Sequence, residues 1–429
     1  MIQDYDRIHF GLAHGAVYDL DIAIAKRIPD LHRLEFFSTL AMRKTPFECF
    51  IASQDKEDIR FASCHFGAVD RKMASMGRNW YVPQQFRELP KYWAENTRQM
   101  DYYMLQVGPM DEHGNFNIGP QVSDVWGLVK SAKTVIVEVN KSMPRALGKQ
   151  SELHITHVDY IVHGSNTPMM EVPSIPATDA ERQIAGHILE LLEDESTLQL
   201  GIGGLPNCIG SLLCESDTWN LSGHAEMLSD AYVDLYNAGK ITGNKELDRG
   251  KIVYTFCAGT KKLYDFIDNN PVCCCAPVDY VNAVEMLCQI DKLISINSCI
   301  QVDLYGQVNS ESAGFRQISG TGGQLDYVIG AFLSKGGKSF LCTPSTRVNE
   351  NGELESRILP LLPRGAIVTT PRTCTHYVVT EYGAVNLKGK STWDRCELLI
   401  SIAHPDFRED LIREAGRMGI WKQSSKYAR

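Results

Sequence analysis

The sequence has no run of basic residues longer than two, and its formal charge is -9. It therefore carries no electrostatic footprint for nucleic acid or an anionic membrane, and any anionic ligand must be held by local dipoles and a few basic groups. It also lacks any apolar run near the ~20 residues that a membrane helix needs. The opening MIQDYDRIHF is too polar and acidic for a secretory signal, so a cytoplasmic protein is expected. Paired C-x-x-C spacing is missing as well. The 13 cysteines are odd in number and lie mostly in apolar stretches such as YTFCAGT and INSCIQV, which points to buried thiols. The run Cys273, Cys274, Cys275 with Cys288 downstream has no zinc-site spacing, so no metal is expected.

Several catalytic signatures are absent too. Neither H-E-x-x-H nor G-x-S-x-G occurs. The dinucleotide fingerprint fails because proline stands at 206 where glycine is required, which disfavours a plain NAD site. A P-loop fails in the same way: SKGGKSF (334–340) resembles its tail, but Phe332 occupies the position of the first glycine.

What remains is a soluble globular composition, 44% hydrophobic and 22% charged, in a chain of 429 residues. That length is too great for one ordinary core and predicts two domains. Short β-branched apolar runs alternate with helical patterns. Strands are expected over 101–109, 133–140 and 158–164 in the first half, and over 196–204, 251–259, 292–300, 338–346, 366–372 and 375–383 in the second. Helices are expected over 179–194 and in DAYVDLYNAG, which ends on a glycine. Continuous apolar strands separated by helices imply mainly parallel sheets covered on both faces. The stretch 163–181 breaks this rhythm with three prolines and no period, and reads as a linker ending in a helix N-cap. The expected fold class is therefore α/β, with two mainly parallel-sheet domains at 1–178 and 179–429 and an active site in the cleft between them.

Candidate ligand loops are glycine-rich. LQLGIGGLPNCIGSLL (198–213) runs a strand through Gly201, Ile202, Gly203, Gly204 and Leu205 into a helix, presenting free backbone N–H groups to an anion. SGTGGQLDYV (319–328) can bring amides close to a ligand as an oxyanion hole. MDEHGNFNIG, VDYVNAVE, QVNSESAG and VTEYGAVNLKGKS are polar loops beside glycines or strand ends. On the residues alone, a tight turn without a ligand stays open for the two glycine-rich loops, and a solvated loop is the better explanation of each of the four polar segments. Glu226, in LSGHAEMLSD, is likewise open to reading as a solvated loop acid.

Taken in order, MDEHGNFNIG, STLQLGIGGLPN, GHAEMLSDAYVDLYNAGKIT, PVDYVN, SINSCIQVDLYGQV, SGTGGQLDYV and VTEYG resemble the acetyl-CoA hydrolase/transferase family. The resemblance covers the chain from about residue 100, is densest over 196–410 and thins at the N-terminus. It implies CoA transfer between a short-chain acyl-CoA (acetyl, butyryl or 4-hydroxybutyryl) and a carboxylate, by a ping-pong route through a glutamyl-CoA thioester. It implies Glu226 as the nucleophile, Asn282 and Gly323 as oxyanion donors, and Glu381 as an ancillary carboxylate. It also implies that Gly201, Ile202, Gly203, Gly204, Leu205, Ile300 and Gly323 lie against CoA, with CoA as substrate and no tightly bound cofactor. A homodimer or a dimer of dimers is expected on the same ground. Two readings stay open beside it: an acyl-CoA hydrolase using the same glutamate, and a non-catalytic CoA-binding sensor.

Overall fold

The computed structural model describes residues 1–422. Two separate sheets organise them. The first has seven strands: β1 (Arg7–Leu12), β2 (Glu35–Thr39), β3 (Arg60–Ser63), β4 (Asn79–Tyr81), β5 (Tyr102–Val107), β6 (Thr134–Val139) and β7 (Tyr160–His163). They lie in the order β4-β3-β2-β1-β5-β6-β7, and every pairing is parallel. The central strands RIHFGL and YYMLQV are buried at all six positions each. This is the reason their apolar runs continue without alternation, since both faces are covered.

The second sheet uses β8 (Thr197–Leu200), β9 (Ser222–Gly223), β14 (Leu293–Ser298), β15 (Lys338–Cys342), β16 (Tyr377–Thr380) and β17 (Gly383–Asn386), ordered β9-β8-β14-β15-β16-β17. It is parallel except for the closing β16–β17 hairpin. Among the short strands outside both sheets, β10 (Met227–Leu228) pairs with β12 (Phe256–Cys257), and β11 (Ile252–Tyr254) with β13 (Cys273–Cys275). The apolar cluster under β5 and β6 takes in Phe256, Ala258 and Val278, so side chains from both halves of the chain share one core. Among the described residues no helix is long and apolar enough to cross a membrane.

Helix α1 (Asp179–Leu189) starts at a capping box in which Thr178 Oγ1 accepts from the Glu181 N–H at 3.2 Å and Glu181 Oε2 accepts from the Thr178 N–H at 2.8 Å. Two further helices concern the site, α2 (Gly204–Glu215) and α3 (Gln324–Leu333).

Several expected elements differ. Residues 366–372 form no strand. Only Thr370 bridges Val308, because Pro371 supplies no N–H to continue a ladder. The run 251–259 is not one strand but two, β11 and β12, which pair with different partners on either side of Thr255. Strand β7 is an exposed edge, with Tyr160 49% and Ile161 41% accessible, where a buried strand was expected. Strands β2, β3 and β4 were not anticipated. They are three to five residues long, too short for a period to register.

Candidate active site

Glu226 sits in the bend between β9 and β10, where backbone bonds fix it on both sides. The Ala225 N–H donates to the Val253 carbonyl at 2.9 Å, and the Glu226 carbonyl accepts from Thr255 N–H at 3.0 Å and Phe256 N–H at 3.3 Å. Ala225 fills the core with no exposure. The Glu226 side chain points the opposite way, into a cavity of about 230 Å³ between the two halves of the chain.

Two donors meet its carboxylate. Asn282 Nδ2 donates to Oε2 at 2.6 Å, and the Gly323 N–H, at the start of α3, donates to the same group. Gly323 has to be glycine here, because a Cβ would overlap both Glu226 Oε2 and Asn282 Nδ2. Asn282 is itself fully buried and positioned from behind. His224, two residues before Glu226, shares a 2.8 Å hydrogen bond through Nε2 with the carbonyl of Val281, the residue preceding Asn282. Burial keeps that imidazole neutral, with its pKa lowered to about 4.

Burial pushes the Glu226 carboxyl up to about 7, against the two hydrogen bonds, which favour its charged form. Asp326, in the first turn of α3, is a second buried acid. Burial raises it to about 8, with the Glu226 charge adding and Arg87 opposing. Arg87 Nε lies 3.2 Å from Asp326 Oδ1, and the adjacent Phe86 N–H donates to the Gly322 carbonyl at 3.2 Å. The 84–89 turn of the first half is thus fastened to the glycine-rich loop of the second.

The structure brings Glu226, Asn282 and Gly323 together and sets Ile202 in the same cavity. Ile202 belongs to the turn from β8 into α2, where Gly203 has φ +113°, a left-handed value that favours glycine. Space above Gly201 and Gly203 is open, and α2 has no acid in its first turn. Gly204 and the Leu205 side chain are buried, so their contribution to a ligand is confined to the backbone. The other expected residues lie elsewhere. Ile300 lines a separate cavity of about 770 Å³. Glu381 does not line the Glu226 cavity: its carboxylate accepts from the Ser345 N–H at 2.8 Å and hydroxyl at 2.5 Å. Across the carboxyl-end edge, β9 and β16 are four strand spacings apart, about 19 Å. That separation, with Glu381 committed to Ser345, is why the acid is not beside Glu226.

The sequence reading missed the opposite wall, which comes from the ends of β1, β2 and β3 and from the 84–89 turn: Leu12, Leu40, His65, Gln84, Phe86 and Leu89. The sequence signal for this wall is the short motif YVPQQF (81–86), which supplies Gln84 and Phe86.

Against this geometry, the sequence model of the Acetyl-CoA hydrolase/transferase N-terminal domain matches residues 1–173, and that of the C-terminal domain matches 259–415. The chain belongs to this family. It is 46% identical to the butyryl-CoA:acetate CoA-transferase of Anaerostipes caccae, over 99% of this chain and 96% of that one. Among solved structures, it resembles RipA from Yersinia pestis with a TM-score of 0.87 and 36% identity, covering 98% of this chain and 95% of that one. It also resembles the 4-hydroxybutyrate CoA-transferase of Porphyromonas gingivalis, with a TM-score of 0.76 and 31% identity over 96% and 94% of the two chains. The family match beginning at residue 1 extends the likeness through the N-terminal hundred residues, where the readable motifs are sparse. The protein is a CoA-transferase of two-sheet α/β architecture.

Proposed function

We propose that the protein moves CoA from a short-chain acyl-CoA to a carboxylate acceptor through a thioester on Glu226. One observation carries the assignment of roles: the two oxygens of Glu226 are inequivalent. Oε2 is held by Asn282, while Oε1 is directed toward Gly322, where a Cβ would lie 3.4 Å from it. Oε1 is therefore the attacking atom. It adds to the thioester carbonyl, the C–S bond breaks, and CoA leaves as thiolate with the acyl group held as a mixed anhydride. The thiolate then adds to the glutamyl Cδ. At that moment Oε2 carries the negative charge, beside the Asn282 and Gly323 donors. Each such donor is worth about 3 kcal/mol of barrier. The first acid departs as carboxylate, leaving Glu226 as a CoA thioester, and an incoming carboxylate runs the steps backwards.

The same reading gives the Gly201–Leu205 turn the portion of CoA nearest the thiol and Ile300 a more distant part of the molecule. Glu381 acts on the site only if it exchanges its Ser345 bonds for others. CoA is substrate rather than resident cofactor, the two units divide near residue 178, and the assembly is a homodimer or a dimer of dimers. A largely apolar cavity disfavours hydrolysis of the anhydride, which supports transfer over the hydrolase reading. The test is to incubate the protein with acyl-CoA and measure intact mass and free thiol. A CoA adduct on Glu226, discharged only by added carboxylate, is expected; rapid release of free thiol without an acceptor would overturn transfer.

A further inference from the structure

The wall of the cavity facing Glu226 is apolar except for two side chains, His65 at the end of β3 and Gln84 in the 84–89 turn, apart from Cys64 and Thr39 at the strand ends. Thr39 Oγ1 is enclosed and out of reach. Among the described residues, neither the His65 ring nitrogens nor the Gln84 carboxamide makes a hydrogen bond, although both residues are half-buried. The imidazole stands close to the chemistry. A Cβ on Gly322 would be 3.4 Å from Glu226 Oε1 and 3.7 Å from His65 Cε1, so the carboxylate and the ring flank the same point. Burial, with Arg71 nearby, lowers the His65 pKa to about 4, which makes the ring neutral at pH 7.

Among the described residues no cation lines this cavity, and Glu226 is its one charged residue. The arginines bordering the glycine-rich loop are committed elsewhere. Arg87 pairs with Asp326, and Arg71 donates to the Ile318 carbonyl at 2.8 Å and the Phe66 carbonyl at 3.3 Å. A second carboxylate on the acyl chain would thus enter a poorly solvated space that offers no counter-charge, which is costly. A hydroxyl, by contrast, finds two neutral groups able to donate and accept.

Resting on the transfer reading above, we propose that His65 and Gln84 are specificity determinants that select short acyl chains with an uncharged polar substituent or none, and exclude dicarboxylates. A site with unpaired hydrogen-bonding groups discriminates for a chain that satisfies them. Leu12, Leu40, Phe86 and Leu89 hold the methylenes.

Three acids of equal length test this: butyrate ends in a methyl, 4-hydroxybutyrate in a hydroxyl and succinate in a carboxylate. Each is assayed as acceptor with acetyl-CoA as donor, in the unmodified protein and in His65→Leu, Gln84→Leu and His65→Arg. Succinate is expected to fall at least about 100-fold below butyrate in kcat/KM. Each leucine variant is expected to lower the ratio of 4-hydroxybutyrate to butyrate about tenfold, and His65→Arg to raise succinate relative to butyrate. Succinate matching butyrate in the unmodified protein would overturn the proposal, as would a ratio unmoved in both leucine variants. Failure to form the Glu226 thioester from acetyl-CoA, seen by mass before any acceptor is added, would instead overturn the transfer reading on which this rests.

Discussion

The two walls of the cavity are built differently. The wall carrying Glu226 is held by backbone and amide hydrogen bonds: Ala225 to Val253, Glu226 to Thr255 and Phe256, Asn282 and Gly323 to the carboxylate. The facing wall is made of side chains from the ends of parallel strands and one turn, and it reaches the first wall through the Arg87–Asp326 pair and the Phe86–Gly322 bond. The difference separates two tasks. Stabilising charge on defined oxygens needs donors that do not move, whereas fitting an acyl chain needs only volume and a few polar contacts.

The most severe way to break this comparison is Glu226→Ala. Loss of the nucleophile should reduce transfer by about 10³-fold or more, with no CoA adduct in the intact mass. Normal turnover in that variant would sink the assignment. Next in size is Gly323→Ala, whose Cβ overlaps both Glu226 Oε2 and Asn282 Nδ2. A fall of about 10²- to 10³-fold in kcat is expected, with folding checked by circular dichroism; a KM effect alone would count against an oxyanion role.

The third prediction concerns stability. The Glu226 pKa in the folded protein, about 7, lies above its ordinary 4.5. Between those values the unfolded chain has lost the proton and the folded chain keeps it, so stability falls as pH rises through this window and is level above it. Glu226→Gln should therefore gain about 3 kcal/mol at pH 8 and nothing from this source at pH 4, measured by denaturant titration. A gain independent of pH would show that the carboxyl is not perturbed by burial. The pre-steady-state rate of thioester formation should rise through the same window, since Oε1 attacks ionised. The smallest effect belongs to the facing wall. Phe86→Ala should shift kcat/KM toward longer acids such as hexanoate relative to butyrate by about tenfold while the CoA adduct on Glu226 still forms. Loss of the adduct would show that the walls are not separable.

Legibility in the sequence followed the same division. Strands β5, β6, β8, β14, β15 and β16 were visible because burial on both faces makes each a continuous apolar run. Strands β2 to β4 were not, and they supply Leu40 and His65 to the cavity. Glu226, Asn282 and Gly323 could be named from a resemblance in ordered motifs, although local pattern left Glu226 indistinguishable from a solvated loop acid. The same resemblance set Ile300 against CoA and Glu381 near the thioester, and neither residue lines the Glu226 cavity.

The sequence by itself determined the α/β class and the family, because these follow from local periodicity and from contiguous motifs. Only the tertiary structure decided which oxygen of Glu226 is free, how far its pKa is raised and which side chains face it. Those properties depend on burial and on distances between residues remote in the chain, such as Glu226 from His65, Asn282 and Gly323, and no local pattern encodes them.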